Sequence, residues 1–222
     1  VSMMLESLGL RVFTNPTGSN FTRGVVSALL QEVSAGGALD ADIAVLELDE
    51  AYAVHFVEQV RPDYALLLNV MRDQLDRFGE IDNTARLLSR VAAATTGTVV
   101  LNREDPRIAA LAQVVPSGTC TVHFGLSQAL RRFFPTDDDM ATTFERDAAP
   151  AVPAAEPAAG TVADVMLTGV GDHRAQLLID GTEYDSEVRL EGVYNLYNAA
   201  AALAVVLSLI HISEPTRQAE IS

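Results

Sequence analysis

Lysine is missing from this sequence of 222 residues, so all 15 of its basic residues are arginine. A phosphate-binding P-loop needs its lysine to reach the β- and γ-phosphates of a nucleotide. A complete P-loop therefore does not lie within these residues. An acidic chain can still bind a nucleotide through a local loop and a metal ion.

Cysteine is almost absent as well. The single Cys120 excludes an internal disulfide and a zinc site of clustered cysteines, and it fits a reducing cytosol. The formal net charge of -15 argues against a nucleic-acid surface, because phosphate backbones are bound by clustered lysine and arginine. No run approaches the roughly 18 apolar residues of a membrane span, and the start lacks a signal-peptide pattern. These absences favour a cytoplasmic protein that binds no nucleic acid.

Short apolar runs alternate with helical patterns through the first part of the chain. Runs such as 42–48 and 64–69 suit strands that are buried on both faces of a parallel sheet. The predicted strands cover residues 11–14, 42–48, 64–69, 98–101 and 119–124. The alternation predicts an α/β fold, with a mostly parallel sheet flanked by helices.

The pattern of predicted elements changes in the second part of the chain. Residues 148–160 (AAPAVPAAEPAAG) have the composition of a loop or linker. Residues 161–190 read as short strands around turns, with Asp180-Gly181 as a hairpin signal, so a small antiparallel sheet is expected there. An alanine-rich helix follows over residues 195–206.

Both ends of the sequence differ in character from the rest. Residues 1–10 read as a helix already under way, so we expect the domain to be truncated at its N-terminal side. Residues 207–222 resemble the translation of a sequencing adapter and break in polarity from the helix before them. We therefore expect the domain to span residues 1–206 and the tail to lie outside it.

The strongest candidate for a metal ligand is Glu47, which lies at the end of a predicted buried strand and precedes Asp49 and Glu50. Ligands of open α/β sheets bind at the carboxyl ends of the strands. A carboxylate there can hold Mg²⁺, which takes few protein oxygens and several waters. The alternative is that all three acids are solvated loop residues.

Two asparagine-containing segments are candidates for nucleotide contacts. Residues 15–24 could present backbone N–H groups and hydroxyls to an anion at a helix N-terminus, or Asn20 and Thr22 could simply cap that helix. Asn195 and Asn198 could bond to a purine edge, or they could be ordinary caps of the last helix. Residues 69–79, with alternating charges, read from the residues alone as a surface turn.

Three motifs in chain order resemble the central domain of the Mur ligase family over about residues 1–206. They are LELDEA (46–51), NREDP (102–106) and GVYNLYNAAAALA (192–204). Two further motifs resemble the MurT branch of that family, namely TNPTGSNFTRG (14–24) and NVMRDQLDRFGEID (69–82). Most amino-acid-adding members carry a histidine where this sequence has Gln74.

The resemblance implies a fold related to P-loop NTPases, together with ATP and Mg²⁺ as cofactors. It places Mg²⁺ on Glu47, the adenine at Asn195 and Asn198, and a further nucleotide contact in the Asn102 turn. Asn20 and Thr22 would lie near the phosphates or the substrate carboxylate. Many members of the MurT branch carry a four-cysteine zinc ribbon, but residues 126–188 contain no cysteine, so no zinc is expected.

The activity that the resemblance implies is ATP-dependent amidation of the D-glutamate α-carboxylate in the lipid II stem peptide. Ammonia would come from a GatD-type glutamine amidotransferase subunit, and lipid II would be met at the cytoplasmic face of the membrane. One alternative is another Mur-type ligase that adds an amino acid, or a folylpolyglutamate synthase relative. A second alternative, from a different class, is a non-catalytic nucleotide-binding module.

We expect these 222 residues to show no ATP hydrolysis by themselves. They contain no P-loop lysine, and the resemblance places the family's catalytic aspartate in a C-terminal domain outside them. Phosphate release from ATP and Mg²⁺ should equal that of a metal-free control. Robust turnover above that control would contradict the prediction.

Overall fold

The structure is a computed structural model that describes residues 1–15, 20–70, 80–134, 162–171, 173–188 and 193–219. Its helices are α1 (Ser2–Ser7), α2 (Thr22–Glu32), α3 (Glu50–Val57), α4 (Glu80–Ala94), α5 (Pro106–Ala110), α6 (Gln128–Arg131) and α7 (Val193–Ala219), with a 3₁₀ turn at Leu111–Val114. Its strands are β1 (Val12–Thr14), β2 (Ile43–Val45), β3 (Tyr64–Leu67), β4 (Thr98–Asn102), β5 (Cys120–Leu126), β6 (Val165–Gly171), β7 (Arg174–Ile179) and β8 (Thr182–Glu187).

The strands form a two-stranded and a six-stranded sheet. In the first, β1 pairs in parallel with β2. In the second, the order is β3-β4-β5-β6-β7-β8, with parallel pairing from β3 to β6 and antiparallel pairing beyond. The predicted α/β class with a mostly parallel sheet flanked by helices is confirmed.

The six-stranded sheet carries a hydrophobic core on each face. All five residues of β4 are buried, and successive side chains alternate between the two faces. Val100 packs into the cluster that holds α7, whereas Val99 and Leu101 pack into the cluster that holds α3 and part of α4. The continuous apolar run of β4 is therefore explained by helices on both sides of the strand.

The antiparallel strands β6, β7 and β8 extend the parallel sheet and do not form a separate small sheet. The hairpin expected at Asp180-Gly181 is present, and both residues have positive φ (48° and 80°), as a two-residue turn of the primed type requires. Strand β6 runs to Gly171, and a positive φ of 51° falls at His173, directly before β7.

Strand β2 is shorter and more exposed than the sequence predicted. The predicted strand covered residues 42–48 and was buried on both faces, but β2 spans only Ile43–Val45 and Ala44 is exposed. The physical reason is the small sheet: β2 pairs with β1 and does not occupy the middle of the six-stranded sheet. An alternating burial pattern results where continuous burial was expected.

Helix α7 is the longest helix among the described residues and runs well beyond the predicted residues 195–206. Five small or apolar residues on one side pack against β4, β5 and β6: Leu196, Ala200, Ala201, Ala204 and Val205. The window Tyr194–His211 is long and apolar enough for a membrane span by length and composition, contrary to our expectation from the sequence. Its packed side identifies α7 as a core helix of the domain.

Leu207, which the sequence analysis assigns to the tail, also packs partly against this core. The predicted loop 148–160 lies outside the described residues.

Gly97 at the start of β4 provides a test of this packing. A Cβ built on Gly97 would lie 2.6 Å from the backbone oxygen of Asp63, which cannot move without disturbing β3. We expect Gly97→Ala to lower the free energy of unfolding by about 1–3 kcal/mol through overpacking. Chemical denaturation measures the change.

Gly118 supplies the matched control, because nothing lies within 4 Å of a Cβ built there. Gly118→Ala should change the free energy of unfolding by less than about 0.5 kcal/mol. Equal effects of the two substitutions would contradict the packing described for Gly97.

Candidate functional site

The candidate site lies at the carboxyl ends of the parallel strands. Three segments with polar groups leave the sheets there: residues 47–49 after β2, residues 68–70 after β3, and residues 102–105, which begin at the last residue of β4. Ligands of open α/β sheets bind at this edge. Hydrogen bonds join the second of these segments to the third, and join the first to residues 15 and 20 after β1.

Asn15 clamps the backbone of Glu47. Its Nδ2 donates to the Glu47 carbonyl oxygen at 2.8 Å, and its Oδ1 accepts from the Glu47 N–H at 2.9 Å. Asn15 is only 5% exposed, so both bonds are shielded from water. The side chain of a residue directly after β1 thereby satisfies both backbone groups of Glu47 and fixes the course of the chain after β2.

A second link joins the same two segments through the backbone. The Asp49 N–H donates to the Asn20 carbonyl oxygen at 3.0 Å, and the Phe21 and Tyr52 rings meet edge to face at 4.6 Å. Asn20 and Glu47 are therefore held on adjacent segments, and their roles in a shared site stay a prediction. Thr22 begins α2, and its side chain lies outside the described part.

Glu47 fits a magnesium ligand. Its side chain is exposed, and its carboxylate has no hydrogen-bond or ion-pair partner among the described residues. Asp49 differs, because its carboxylate accepts from the Ala51 N–H at 3.0 Å and caps α3. The described residues contain no group of three or more potential metal ligands. One protein carboxylate with room for water is a donor set that suits Mg²⁺ better than an ion needing several protein ligands.

The side-chain amide of Asn102 is buried and is already engaged in hydrogen bonds within the protein. Its Nδ2 donates to the Leu68 carbonyl oxygen at 2.7 Å, and its Oδ1 accepts from the Glu104 N–H at 2.9 Å and from the Tyr197 hydroxyl at 2.5 Å. These bonds occupy most of the polar capacity of the amide. The direct nucleotide contact expected for Asn102 stays a prediction, and it would have to use the remaining N–H.

Asp105 ties the neighbouring loop to the same turn. Its Oδ1 accepts from the Arg107 and Ile108 N–H groups and caps α5, while its Oδ2 accepts from the Val70 N–H at 2.7 Å. The sequence reasoning assigned Asp105 no role, although an aspartate directly before a proline is a recognisable helix-start signal. Most of the charged loop 69–79 lies outside the described residues, including Gln74.

A buried ionic cluster underlies the turn. Glu104, only 4% exposed, accepts at Oε1 from the Arg103 guanidinium and from the Leu126 N–H at 3.0 Å. The Nε of Arg131 lies 3.1 Å from Oε2, at an angle unsuited to a hydrogen bond, so this contact is an ion pair only. Gly125 makes room for the cluster, since a Cβ there would lie 2.7 Å from Oε1.

Asn195 and Asn198 lie on the first turns of α7, and both side chains are exposed. Tyr197 lies between them in sequence and is partly buried against the sheet. Burial is the main cause that raises the pKa of the Tyr197 hydroxyl far above its usual value, and the negative charge of Glu104 raises it further. Tyr197 therefore stays a neutral donor at any ordinary pH. The sequence reasoning quoted this tyrosine in a motif but gave it no role.

These features place the chain in a known class. It belongs to the Mur ligase family, whose profile, described as the Mur ligase middle domain, matches residues 3–206. The family resemblance drawn from the motifs is thereby confirmed.

Individual relatives point to particular members of the family. The MurT subunit of the lipid II isoglutaminyl synthase (glutamine-hydrolyzing) from Streptococcus pneumoniae is 29% identical over 92% of this chain and 48% of that protein. A UDP-N-acetylmuramoylalanine–D-glutamate ligase from Burkholderia cenocepacia is 30% identical over 76% of this chain and 33% of that protein. The chain thus spans about half or less of the length of these relatives.

A solved structure supports the fold. The MurF ligase from Thermotoga maritima, in complex with ADP, has a TM-score of 0.59 and 19% identity to this chain. The match covers 92% of this chain and 40% of that one. The fold of the family's middle domain therefore extends over nearly all of the sequence.

The Asn15 clamp generates a stability prediction. Asn15→Ala removes both hydrogen bonds and leaves the N–H and C=O of Glu47 without this partner. We expect the free energy of unfolding to fall by about 2 kcal/mol. We also expect the Glu47 amide to exchange faster with deuterium, because it loses its acceptor.

Asn20→Ala is the matched control, since Asn20 makes its link through the backbone carbonyl, which the substitution retains. Its effect on unfolding should stay within about 0.5 kcal/mol. A loss for Asn20→Ala as large as that for Asn15→Ala would show that the side-chain clamp is not what holds the segment.

Proposed function

We propose that this chain is the nucleotide-binding part of an ATP-dependent ligase of the MurT type. The complete protein would convert the D-glutamate α-carboxylate of the lipid II stem peptide to the amide, giving D-isoglutamine. The observation that carries the proposal is the arrangement at the strand ends. An exposed carboxylate on a clamped backbone, Glu47, follows one parallel strand, and two exposed amides, Asn195 and Asn198, begin the helix that packs on the sheet.

Each group has a role that its chemistry supports. Glu47 would hold Mg²⁺, and the ion when bound supplies positive charge that neutralises the triphosphate. Asn195 and Asn198 would donate to and accept from the adenine edge. Asn20 and Thr22, near the start of α2, would lie close to the phosphates or the substrate carboxylate. Such a site accelerates the reaction mainly by positioning and by charge stabilisation.

The reaction itself takes two displacements. A carboxylate oxygen of the substrate attacks the γ-phosphorus of ATP, the bond to ADP breaks, and an acyl phosphate forms. Ammonia then attacks the acyl carbon, loses a proton and expels phosphate, which leaves the amide. The negative charge of the chain would not favour a free anionic nucleotide, so the local Mg²⁺ site is central to the proposal.

The partner and the location follow from the same proposal. The Streptococcus pneumoniae relative is a subunit of a glutamine-hydrolyzing enzyme. We propose that a GatD-type glutamine amidotransferase subunit supplies the ammonia to this protein as well. Both would work in the cytoplasm, at the inner face of the membrane where lipid II is presented.

A second candidate is a ligase that adds an amino acid to the carboxylate. The 30% identity to a D-glutamate-adding ligase over 76% of the chain favours it. The two candidates differ in their amine. Ammonia or glutamine supports product formation in the first, whereas only a free amino acid does so in the second.

The test uses the complete protein encoded by the source gene, together with its glutaminase partner. In separate reactions, ATP and Mg²⁺ are supplied with lipid II and glutamine, with lipid II and ammonium, or with UDP-N-acetylmuramoylalanine and D-glutamate, and mass spectrometry identifies the product. We expect the amide with glutamine or ammonium and no product with D-glutamate. Product with D-glutamate alone would overturn the proposal in favour of the second candidate.

Substitution of Glu47 tests the metal site within that assay. Glu47→Gln removes the charge but keeps the shape, so we expect kcat to fall by about 100-fold or more. Glu183→Gln, on the exposed edge strand β8, is the control and should retain the wild-type rate. Equal rates for both variants and the wild type would remove Glu47 from the proposed site.

A further inference from the structure

Tyr197 lies on the side of α7 that faces the sheet, where both its ring and its hydroxyl make contacts. Its ring packs against Phe124 at a centroid distance of 5.1 Å and against Phe134 at 5.3 Å. Its hydroxyl donates to Asn102 Oδ1 at 2.5 Å. The aromatic contacts hold the ring in place, and the hydrogen bond adds a direction that apolar packing lacks.

The acceptor of this bond is itself held on both sides. The Asn102 amide donates to the Leu68 carbonyl oxygen and accepts from the Glu104 N–H, so its Oδ1 cannot swing away. A single amide thereby joins three segments: the end of β3, the turn after β4 and the start of α7. A buried network in which every member has a partner is rigid, because breaking any bond strands a polar group.

The Tyr197 hydroxyl, which donates this bond, keeps its proton. Its pKa is raised by burial and by the nearby carboxylate of Glu104, so the phenol does not ionise under working conditions. Glu104 is fixed in turn by the Arg103 guanidinium and by the Leu126 N–H. The turn that carries Asn102 therefore rests on an ionic cluster that is buried along with it.

Helical geometry relates this bond to the two exposed amides. At about 100° per residue, Asn195 and Asn198 lie about 60° apart around the helix axis, on one side. Tyr197 lies about 160° from Asn195 and about 100° from Asn198, which places it toward the opposite side. The hydrogen bond of Tyr197 thus holds the first turns of α7 on the side that faces the sheet, and the amides of Asn195 and Asn198 stay exposed on the other side.

We infer that Tyr197 and Asn102 form a latch that sets the position of Asn195 and Asn198 at the sheet edge for a purine nucleotide. Tyr197 is a positioning residue and does not itself contact the ligand. Asn102 acts through the same bond, in addition to any contact of its own. This inference rests on the proposed function, since it takes the nucleotide to bind at the two amides.

The test compares Tyr197→Phe with the wild-type chain. The substitution removes only the hydroxyl and keeps the ring that packs on Phe124 and Phe134. The probe is ADP with Mg²⁺, titrated into the complete protein encoded by the source gene well below its melting temperature, with binding followed by calorimetry. We expect Kd to rise about five- to tenfold, the loss that corresponds to one hydrogen bond.

Tyr184→Phe is the matched control, because Tyr184 is half exposed on the edge strand β8. It should leave Kd unchanged. The double variant Tyr197→Phe/Asn102→Ala should bind no more weakly than Asn102→Ala alone, since both substitutions break the same bond. Additive losses would mean that the two residues act separately, which would overturn the latch.

Amide exchange gives a readout that does not depend on the nucleotide. In Tyr197→Phe, amides at residues 197–200 should exchange with deuterium several-fold faster, while those of β7 keep their rates. Unchanged exchange at α7 would overturn the latch. Faster exchange with an unchanged Kd would also overturn it, because the bond would then stabilise the helix without positioning the ligand.

The same experiment separates this inference from the proposed function. If the complete wild-type protein shows no binding of ADP with Mg²⁺, the nucleotide-binding proposal fails and the positioning role fails with it. If the wild type binds and Tyr197→Phe binds equally well, the proposed function stands and only the latch is overturned.

Discussion

The hydrogen bonds of the Asn102 amide are the constraint on which the candidate site depends. One buried side chain bonds to the end of β3, to the turn after β4 and to Tyr197 of α7. Removing any one partner would leave a polar atom unsatisfied in a place with little access to water, which costs more than the bond itself contributes. The arrangement therefore has one low-energy form, and the site edge inherits its rigidity.

A similar device operates on the other sheet. The Asn15 amide satisfies both backbone groups of Glu47, just as the Asn102 amide satisfies groups on neighbouring segments. In both places a buried asparagine makes the structural hydrogen bonds, and the groups proposed to bind a ligand, Glu47, Asn195 and Asn198, are exposed. A site that works by positioning charge needs this separation between the residues that support and those that bind.

The buried ionic cluster beneath the turn shows the cost of such support. Burying charges is unfavourable unless each is paired, and Glu104 is paired through one oxygen by hydrogen bonds and through the other only by the charge of Arg131. Gly125 contributes by having no side chain, since any Cβ would displace the carboxylate. The cluster is best understood as fixing the shape of the turn, because buried ion pairs add little net stability.

Local patterns in the sequence were sufficient to predict the order of strands and helices in this protein. Short apolar runs and helical spacing predicted the alternating strands and helices, and Asp180-Gly181 predicted its hairpin because that turn needs positive φ. Only the tertiary structure decided that β6, β7 and β8 continue the parallel sheet, that β2 is half exposed, and that Asn15 and Asn102 are spent on internal bonds. Those outcomes join residues some 30 to 95 positions apart. Local preference does not encode such pairings, because they are selected by the packing of the whole domain.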